Sequence, residues 1–284
     1  MSAPTGIKRA PVDIWSNLGW VRRRIATARR LFLFVDFDGT LAPTVSVPSL
    51  AVLPEDLRIN LRALAMNRDV VTVIISGRAA DDLQHRVGLP LIYVGNHGLE
   101  IRGAGLNYTV SEAQGLRFQL LAACNRLRAS LEPITGALVE CKRLTASVHV
   151  RQVESAKVSA VIALLQSTMQ HYPAFQILRG KEVFDIRPNI PWNKGSAVRW
   201  ILQQMDGDEC DTICIGDDST DEDMFAELRG GITVRVGFDG LTSAHYCLEE
   251  TGLLRFLGCV REAVEELHRS PNWNADRVVA SEGR

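Results

Sequence analysis

The stretch Leu31-Phe32-Leu33-Phe34-Val35-Asp36-Phe37-Asp38-Gly39-Thr40-Leu41-Ala42-Pro43 decides the fold. It opens with five apolar residues in a row. An unbroken run of that kind predicts a strand buried on both faces, as a parallel sheet requires. Two carboxylates one residue apart end the run, and Gly39 and Pro43 then break the strand. Asp36 and Asp38 are therefore expected at the carboxyl end of a core strand, where open α/β sheets bind ligands. Acids this close repel each other unless positive charge lies beside them. A hard divalent cation with oxygen ligands meets that need. A carboxylate next to such a cation can also attack phosphorus. An acidic turn that merely closes a strand is the plainer alternative.

Three further strand ends carry polar groups. Val70–Ile75 reads as a second buried strand, followed by Ser76-Gly77-Arg78 and a helix from Ala79. A hydroxyl and free N–H groups at a helix start can all donate to an anion, or Ser76 can serve simply as a cap. Leu91–Val94 is a short strand leading into Gly95-Asn96-His97-Gly98-Leu99-Glu100. Thr212–Ile215 is another, ending in Gly216-Asp217-Asp218-Ser219-Thr220-Asp221-Glu222-Asp223. Four aspartates in seven residues exceed what a helix dipole asks for. Ser219 and Glu222 have the spacing of a capping box. Trp192-Asn193-Lys194-Gly195-Ser196 opens a helix, and a lysine there is unfavourable unless an anion offsets it.

Residues 13–30 pattern as an amphipathic helix with an arginine-rich outer face. Leu53 to Asn67 predicts a helix with Pro54 in its first turn. A last strand is expected at 232–236 and a helix from about Leu253 to His268, with frayed ends at 1–10 and beyond about 270.

Between about 105 and 187 the pattern changes to helix, two strands, helix, two strands. Ser111 and Gln114 suggest a capping box for a helix to about Leu131, and a second helix runs from about Glu154 to His171. Strands are expected near 137–143, 145–151, 175–179 and 182–187. Period two puts Glu140 and Lys142 on one face, Ser147, His149 and Arg151 on one face, and Lys181 with Asp185 on one face. A plain solvated face would look the same. Mixed acids and bases also suit a ligand with many hydroxyls and a phosphate.

Asp36-Phe37-Asp38-Gly39-Thr40, Ser76, Lys194 and the Asp217 segment, in that order, resemble the four motifs of the haloacid dehalogenase superfamily of phosphatases. The Asn96–Glu100 loop, the polar cap face and the form of the fourth motif resemble the trehalose-6-phosphate phosphatases. The resemblance runs from Leu31 to Phe256. It implies a Rossmann-like parallel-sheet α/β core, 1–104 and 188–284, with an inserted α+β cap, 105–187. It further implies Asp36 as nucleophile and Asp38 as acid and base. Ser76, Gly77 and Lys194 would hold the phosphate. Mg²⁺ would sit on Asp36, Asp217 and the Asp38 backbone carbonyl, supported by Asp218 and Asp221. Arg78, Asn96, His97, Glu100, Glu140 and Lys142 would meet the substrate, as would His149, Arg151, Lys181 and Asp185. The family position at Asp185 is usually Glu, one methylene longer. The implied reaction is Mg²⁺-dependent hydrolysis of trehalose 6-phosphate. Another disaccharide or glycoside phosphate, a phosphomutase and a non-catalytic sugar-phosphate sensor are the alternatives.

Composition narrows the setting. The chain has 284 residues, 46% hydrophobic and 23% charged, with a formal net charge of −1. No basic field points to nucleic acid or an anionic membrane. No apolar run approaches the roughly 18 residues of a membrane span. Arg22-Arg23-Arg24 through Arg30 ahead of Leu31–Val35 is too short in its apolar part for a signal peptide. Six scattered cysteines form no zinc-type pairs, and reduced thiols in a cytoplasmic protein are expected. The Asn107-Tyr108-Thr109 sequon is then a chance match. The expected partner is a small sugar phosphate, with no nucleic acid and no membrane.

Overall fold

The buried apolar runs assemble into a nine-stranded sheet, and a separate four-stranded sheet forms from the middle of the chain. The computed structural model describes residues 7–45, 48–180, 182–237 and 240–267. The expected frayed end beyond about 270, His268 and Lys181 lie outside the described residues, as do residues 1–6. The first half contains β1 (Val12–Asp13), α1 (Leu18–Ala26), β2 (Leu31–Asp36), α2 (Glu55–Ala65), β3 (Val70–Ile75) and α3 (Ala80–Val87). It continues with β4 (Ile92–Gly95), β5 (Glu100–Gly103), β6 (Leu106–Thr109), α4 (Ser111–Gly115) and α5 (Arg117–Leu131). Then come β7 (Leu138–Cys141), β8 (Ala146–His149), α6 (Val158–Met169), β9 (Phe175–Arg179) and β10 (Val183–Pro188). The chain returns through α7 (Lys194–Gln204), β11 (Thr212–Gly216), α8 (Glu222–Glu227), β12 (Ile232–Val236), β13 (Tyr246–Leu248) and α9 (Leu253–Leu267).

The large sheet runs β1-β13-β12-β11-β2-β3-β4-β5-β6. All pairs from β1 to β4 are parallel, and β4-β5 and β5-β6 are antiparallel. The chain moves outward from β2 to β4, then resumes on the other side of β2 at β11. That reversal makes the carboxyl end of β2 the topological switch point, the usual ligand crevice of such sheets. β2 is buried along its whole length. Leu33 and Val35 pack with α1, α2 and α9 on one face, and Phe32 and Phe34 with α7 and α8 on the other.

The small sheet, β7-β8-β10-β9, is antiparallel throughout. Val148, Phe184 and Ile186 bury one of its faces against α5 and α6. The opposite face keeps Glu140, Ser147, His149 and Asp185. Among the described residues no helix is long and apolar enough to cross a membrane.

Several sequence expectations are corrected. β6 belongs to the large sheet, so the small-sheet segment begins after Thr109 rather than at 105. The helix expected over 13–30 is a 3₁₀ turn, Ile14–Asn17, followed by α1 ending at Ala26. The Thr27 hydroxyl bonds the carbonyls of Arg23 and Arg24 there. The Ser111 capping box does not form: Val110 is the N-cap, and the helix breaks between Gly115 and Arg117. The Ser219 box is also absent, because Glu222 instead accepts from Thr242 Oγ1 (2.6 Å) and Ser243 N (2.7 Å). Tertiary partners outbid the local pattern.

Ile186 is fully buried between the small sheet and its helices. Ile186→Ala is expected to lower the unfolding free energy by about 2–5 kcal/mol. Urea denaturation followed by far-ultraviolet circular dichroism checks this; an unchanged curve contradicts the packing.

Candidate active site

Four chain segments meet at the carboxyl ends of β2, β3 and β11. Their common centre is Lys194, 2% exposed, at the first turn of α7. Its Nζ donates to Asp36 Oδ1 at 2.5 Å and to Asp221 Oδ1 at 2.6 Å. Asn193 caps α7 by accepting from Ser196 N at 2.9 Å, which fixes where Lys194 leaves the backbone. The loop at 96–98 braces the same helix start, with Trp192 Nε1 donating to Gly98 O at 2.7 Å.

Asp36, Asp217 and Asp221 each bring a carboxylate oxygen within 4.8 Å of the others. Three carboxylates face one ammonium. Burial, then the Asp221 charge, raises the Asp36 carboxyl well above its ordinary range, against the pull of Lys194. Burial and the Asp221 charge push Asp217 up to about 7. Such a donor set of hard, close oxygens fits a divalent cation, which would cancel the excess negative charge. The Asp38 carboxylate is not part of this trio; the atom expected on the metal from Asp38 is its backbone carbonyl. Asp221, expected only in support, is part of the trio. Its other oxygen accepts from Asp218 N at 3.0 Å. The Asp218 carboxylate turns away to Ser219 N (2.5 Å) and Ser219 Oγ.

Asp38 lies on the turn after β2. Gly39 there has φ +86°, and a Cβ on it would fall 2.2 Å from Asp217 Oδ2. Thr40 Oγ1 donates to Asp217 Oδ1 at 3.1 Å, so the first and fourth motifs interlock. The Asp38 carboxylate accepts from Arg78 Nε (2.8 Å) and Nη2 (2.6 Å) and from Ser76 Oγ (3.2 Å). Arg78 was expected on the substrate; it is 7% exposed and is held by Asp38, Asp82 and Pro48 O. Gly77 is needed for space, since a Cβ would meet the His97 ring at 2.4 Å.

Two other substrate expectations are corrected. Asn96 and Glu100 are buried and hydrogen-bonded to protein. Asn96 donates to Glu100 Oε1 (2.6 Å) and accepts from Thr145 Oγ1 (2.7 Å). Ala80 N donates to the same Glu100 oxygen at 2.9 Å, and Arg143 Nη2 to the other at 3.3 Å. They tie the large sheet to the β7–β8 turn. His97 is buried with Nε2 3.4 Å from Asp185 Oδ2. Burial, then the nearby Arg187 charge, lowers it to about 3, so its ring is neutral.

The polar face of the small sheet forms one connected set. His149 Nε2 lies 2.9 Å from Glu140 Oε2, Lys142 Nζ donates to Ser147 Oγ at 2.7 Å, and Ser147 Oγ donates to Asp185 Oδ1 at 2.6 Å. Arg151 donates to Glu182 Oε2 at 2.7 Å and to the carbonyl of Val45, tying the end of β8 to the loop that follows β2. Sequence reading missed Arg187, 9% exposed, whose Nη2 donates to Asp185 Oδ2 at 3.0 Å. The signal was present: Arg187 shares a strand face with Asp185 at i+2.

The trehalose-phosphatase family model matches residues 34–241. The chain is 36% identical over 270 residues to "Probable trehalose-phosphate phosphatase E" of Arabidopsis thaliana, covering 89% of this chain and 73% of that protein. It is 33% identical over 246 residues to "Trehalose 6-phosphate phosphatase RA3" of Zea mays, covering 79% and 68%. The solved C-terminal domain of a Candida albicans trehalose-6-phosphate phosphatase shares the fold, with a TM-score of 0.75 at 22% identity over 90% of this chain and 99% of that one. With the motifs at four strand or helix ends and these matches together, the chain belongs to the trehalose-phosphatase family.

Proposed function

We propose that the protein hydrolyses trehalose 6-phosphate to trehalose and inorganic phosphate through a phosphorylated Asp36. The observation that carries this reading is the Lys194 ammonium between Asp36 and Asp221, in a chain of this family with a polar small-sheet face. Asp36 attacks phosphorus, and the bond to the sugar oxygen breaks. Asp38 supplies the proton that the departing sugar oxygen takes. Water then attacks the aspartyl-phosphate, and Asp38 removes its proton. Arg78 grips Asp38 in its carboxylate form, which suits the second step; in the first, Asp38 must release Arg78 to carry a proton. Lys194 and Ser76 hold phosphoryl oxygens as charge redistributes.

Magnesium bound by Asp36, Asp217 and Asp221, with the Asp38 carbonyl, would neutralise these acids and the phosphoryl group. Glu140, Lys142, His149 and Asp185 bind the sugar hydroxyls, with Arg187 holding Asp185 in place. Lys181 remains a candidate by its sequence position alone. Arg151 closes the small sheet over the first motif and limits water at the site.

Phosphate release with Mg²⁺ from trehalose 6-phosphate, sucrose 6-phosphate, glucose 6-phosphate and glucosylglycerol phosphate tests the substrate. Trehalose 6-phosphate is expected to be hydrolysed best, with activity falling by at least about 10³-fold in Asp36→Asn. Preference for another sugar phosphate overturns the substrate assignment. Isothermal titration with Mg²⁺ separates the aspartates: Asp221→Asn should weaken binding at least about tenfold, and Asp218→Asn by less than about threefold. The reverse order removes Asp221 from the ligand set.

A further inference from the structure

A cavity of about 210 Å³ opens where the large sheet, α5 and the β7–β8 turn meet. Arg102 of β5, Arg117 at the start of α5 and Arg143 of the turn line it, with Glu100, Thr109 and Gln114. Asp36, Asp38, Ser76, Lys194 and Asp217 take no part in it. We propose that this cavity binds a small tetrahedral oxyanion, inorganic phosphate or the phosphoryl group of a small ester, apart from the phosphatase centre.

The charges around the cavity leave room for an anion. Three guanidiniums face one carboxylate. Glu100 is buried, and both of its oxygens are engaged. Its Oε1 accepts from Asn96 and from Ala80 N, while Oε2 lies 3.3 Å from Arg143 Nη2 and 3.9 Å from Arg102 Nη2. Two guanidiniums thus converge on a single oxygen. Arg143 Nη1 also lies 3.4 Å from Asp81 Oδ2, but that carboxylate is 65% exposed and water screens the pair. The Arg117 side chain makes no ion pair or hydrogen bond among the described residues.

The donors suit such a ligand. Arg102 is fixed by Nη1 donating to the carbonyl of Tyr108 at 2.7 Å and Nη2 donating to Thr109 Oγ1 at 3.0 Å. A guanidinium presents a planar fork that matches oxygens two at a time. One fork fills a planar carboxylate, whereas forks from three chain segments can share the oxygens of a tetrahedral ion. The cavity volume far exceeds the roughly 30 Å³ share of one water, so a polyatomic ion has room.

Arg143 also stands where the backbone disfavours it. The β7–β8 turn is closed by Lys142 N donating to Thr145 O at 2.8 Å. Arg143 opens that turn with φ +72°, in the left-handed region that favours glycine. Strained residues of this kind cluster at ligand sites, and the strain here holds a guanidinium over the cavity. An anion shared by Arg102, Arg117 and Arg143 ties β5, α5 and the turn together.

Isothermal titration of the full chain with inorganic phosphate, in buffer stripped of divalent metal, reads the cavity, because the carboxylates around Lys194 then repel anions. Wild type should bind one phosphate, and Arg117→Ala should bind it at least about tenfold more weakly. Arg117 is exposed, so the variant should keep the wild-type circular dichroism spectrum. Glucose 6-phosphate, titrated in parallel, separates the sources: tighter binding than phosphate assigns the site to a phosphoryl ester, weaker binding to the free ion. Anomalous diffraction from wild-type crystals soaked in selenate locates the ion without any variant, and selenium is expected among Arg102, Arg117 and Arg143. No phosphate binding, equal affinity in wild type and Arg117→Ala, or no selenium in the cavity overturns the proposal. Selenium there without binding in solution marks an adventitious ion only and overturns it too. Neither readout uses turnover, so failure of the trehalose 6-phosphate reading leaves this test intact.

Discussion

The Lys194 ammonium, enclosed by the carboxylates of Asp36 and Asp221, is the interaction on which the site depends. A buried charge costs several kcal/mol in lost hydration unless it is paired and hydrogen-bonded. Lys194 also stands at the positive end of α7, where a cation is disfavoured. Its two carboxylate acceptors, Asp36 and Asp221, offset both costs. The carboxylates in turn outnumber the ammonium once Asp217 is included, and that surplus keeps Asp36 and Asp217 reluctant to ionise without further positive charge. The pairing thus holds three chain segments together and leaves a surplus of negative charge that a cation would balance.

The fold delivers these groups by placing β2 at the point where strand order reverses. Asp36 leaves the sheet there, and Asp217 leaves the adjacent β11 in the same direction. Close packing fixes the register of the loops: side-chain atoms at Gly39 or Gly77 would collide with Asp217 or His97. The second sheet is joined to this centre by polar contacts and by a small apolar cluster in which Leu144 of the β7–β8 turn packs with Leu99 and Val110. Asn96, Glu100, Thr145 and Arg143 form one bridge, and Arg151 with Val45 forms another.

The strands β2, β3, β4 and β11 were legible because each is a largely apolar run ended by Gly, Ser or Asp, and several candidate site residues stand at those ends. β5 and β6 escaped because they are short, partly exposed and antiparallel, joined through Gly103-Ala104-Gly105 in a stretch without a clear apolar period. The grouping of Asp221 with Asp36 and Asp217 was not readable from spacing. It arises because Asp218 is satisfied locally by Ser219, leaving Asp221 to face the lysine. Asn96 and Glu100 looked like ligand contacts because they lie in a glycine-bracketed loop beside the site. Their partners, Ala80, Thr145 and Arg143, lie too far away in sequence for any local pattern to reveal.

The most direct measurement is mass spectrometry of an acid-quenched single turnover. Asp38→Asn enzyme would be mixed with p-nitrophenyl phosphate, whose leaving group departs without a proton, so only the water step is blocked. Asp36 as nucleophile predicts one phosphoryl group on the peptide containing Asp36, appearing with one equivalent of p-nitrophenol. Release of that equivalent with Asp36 unmodified, or with the phosphoryl group on another residue, would contradict it.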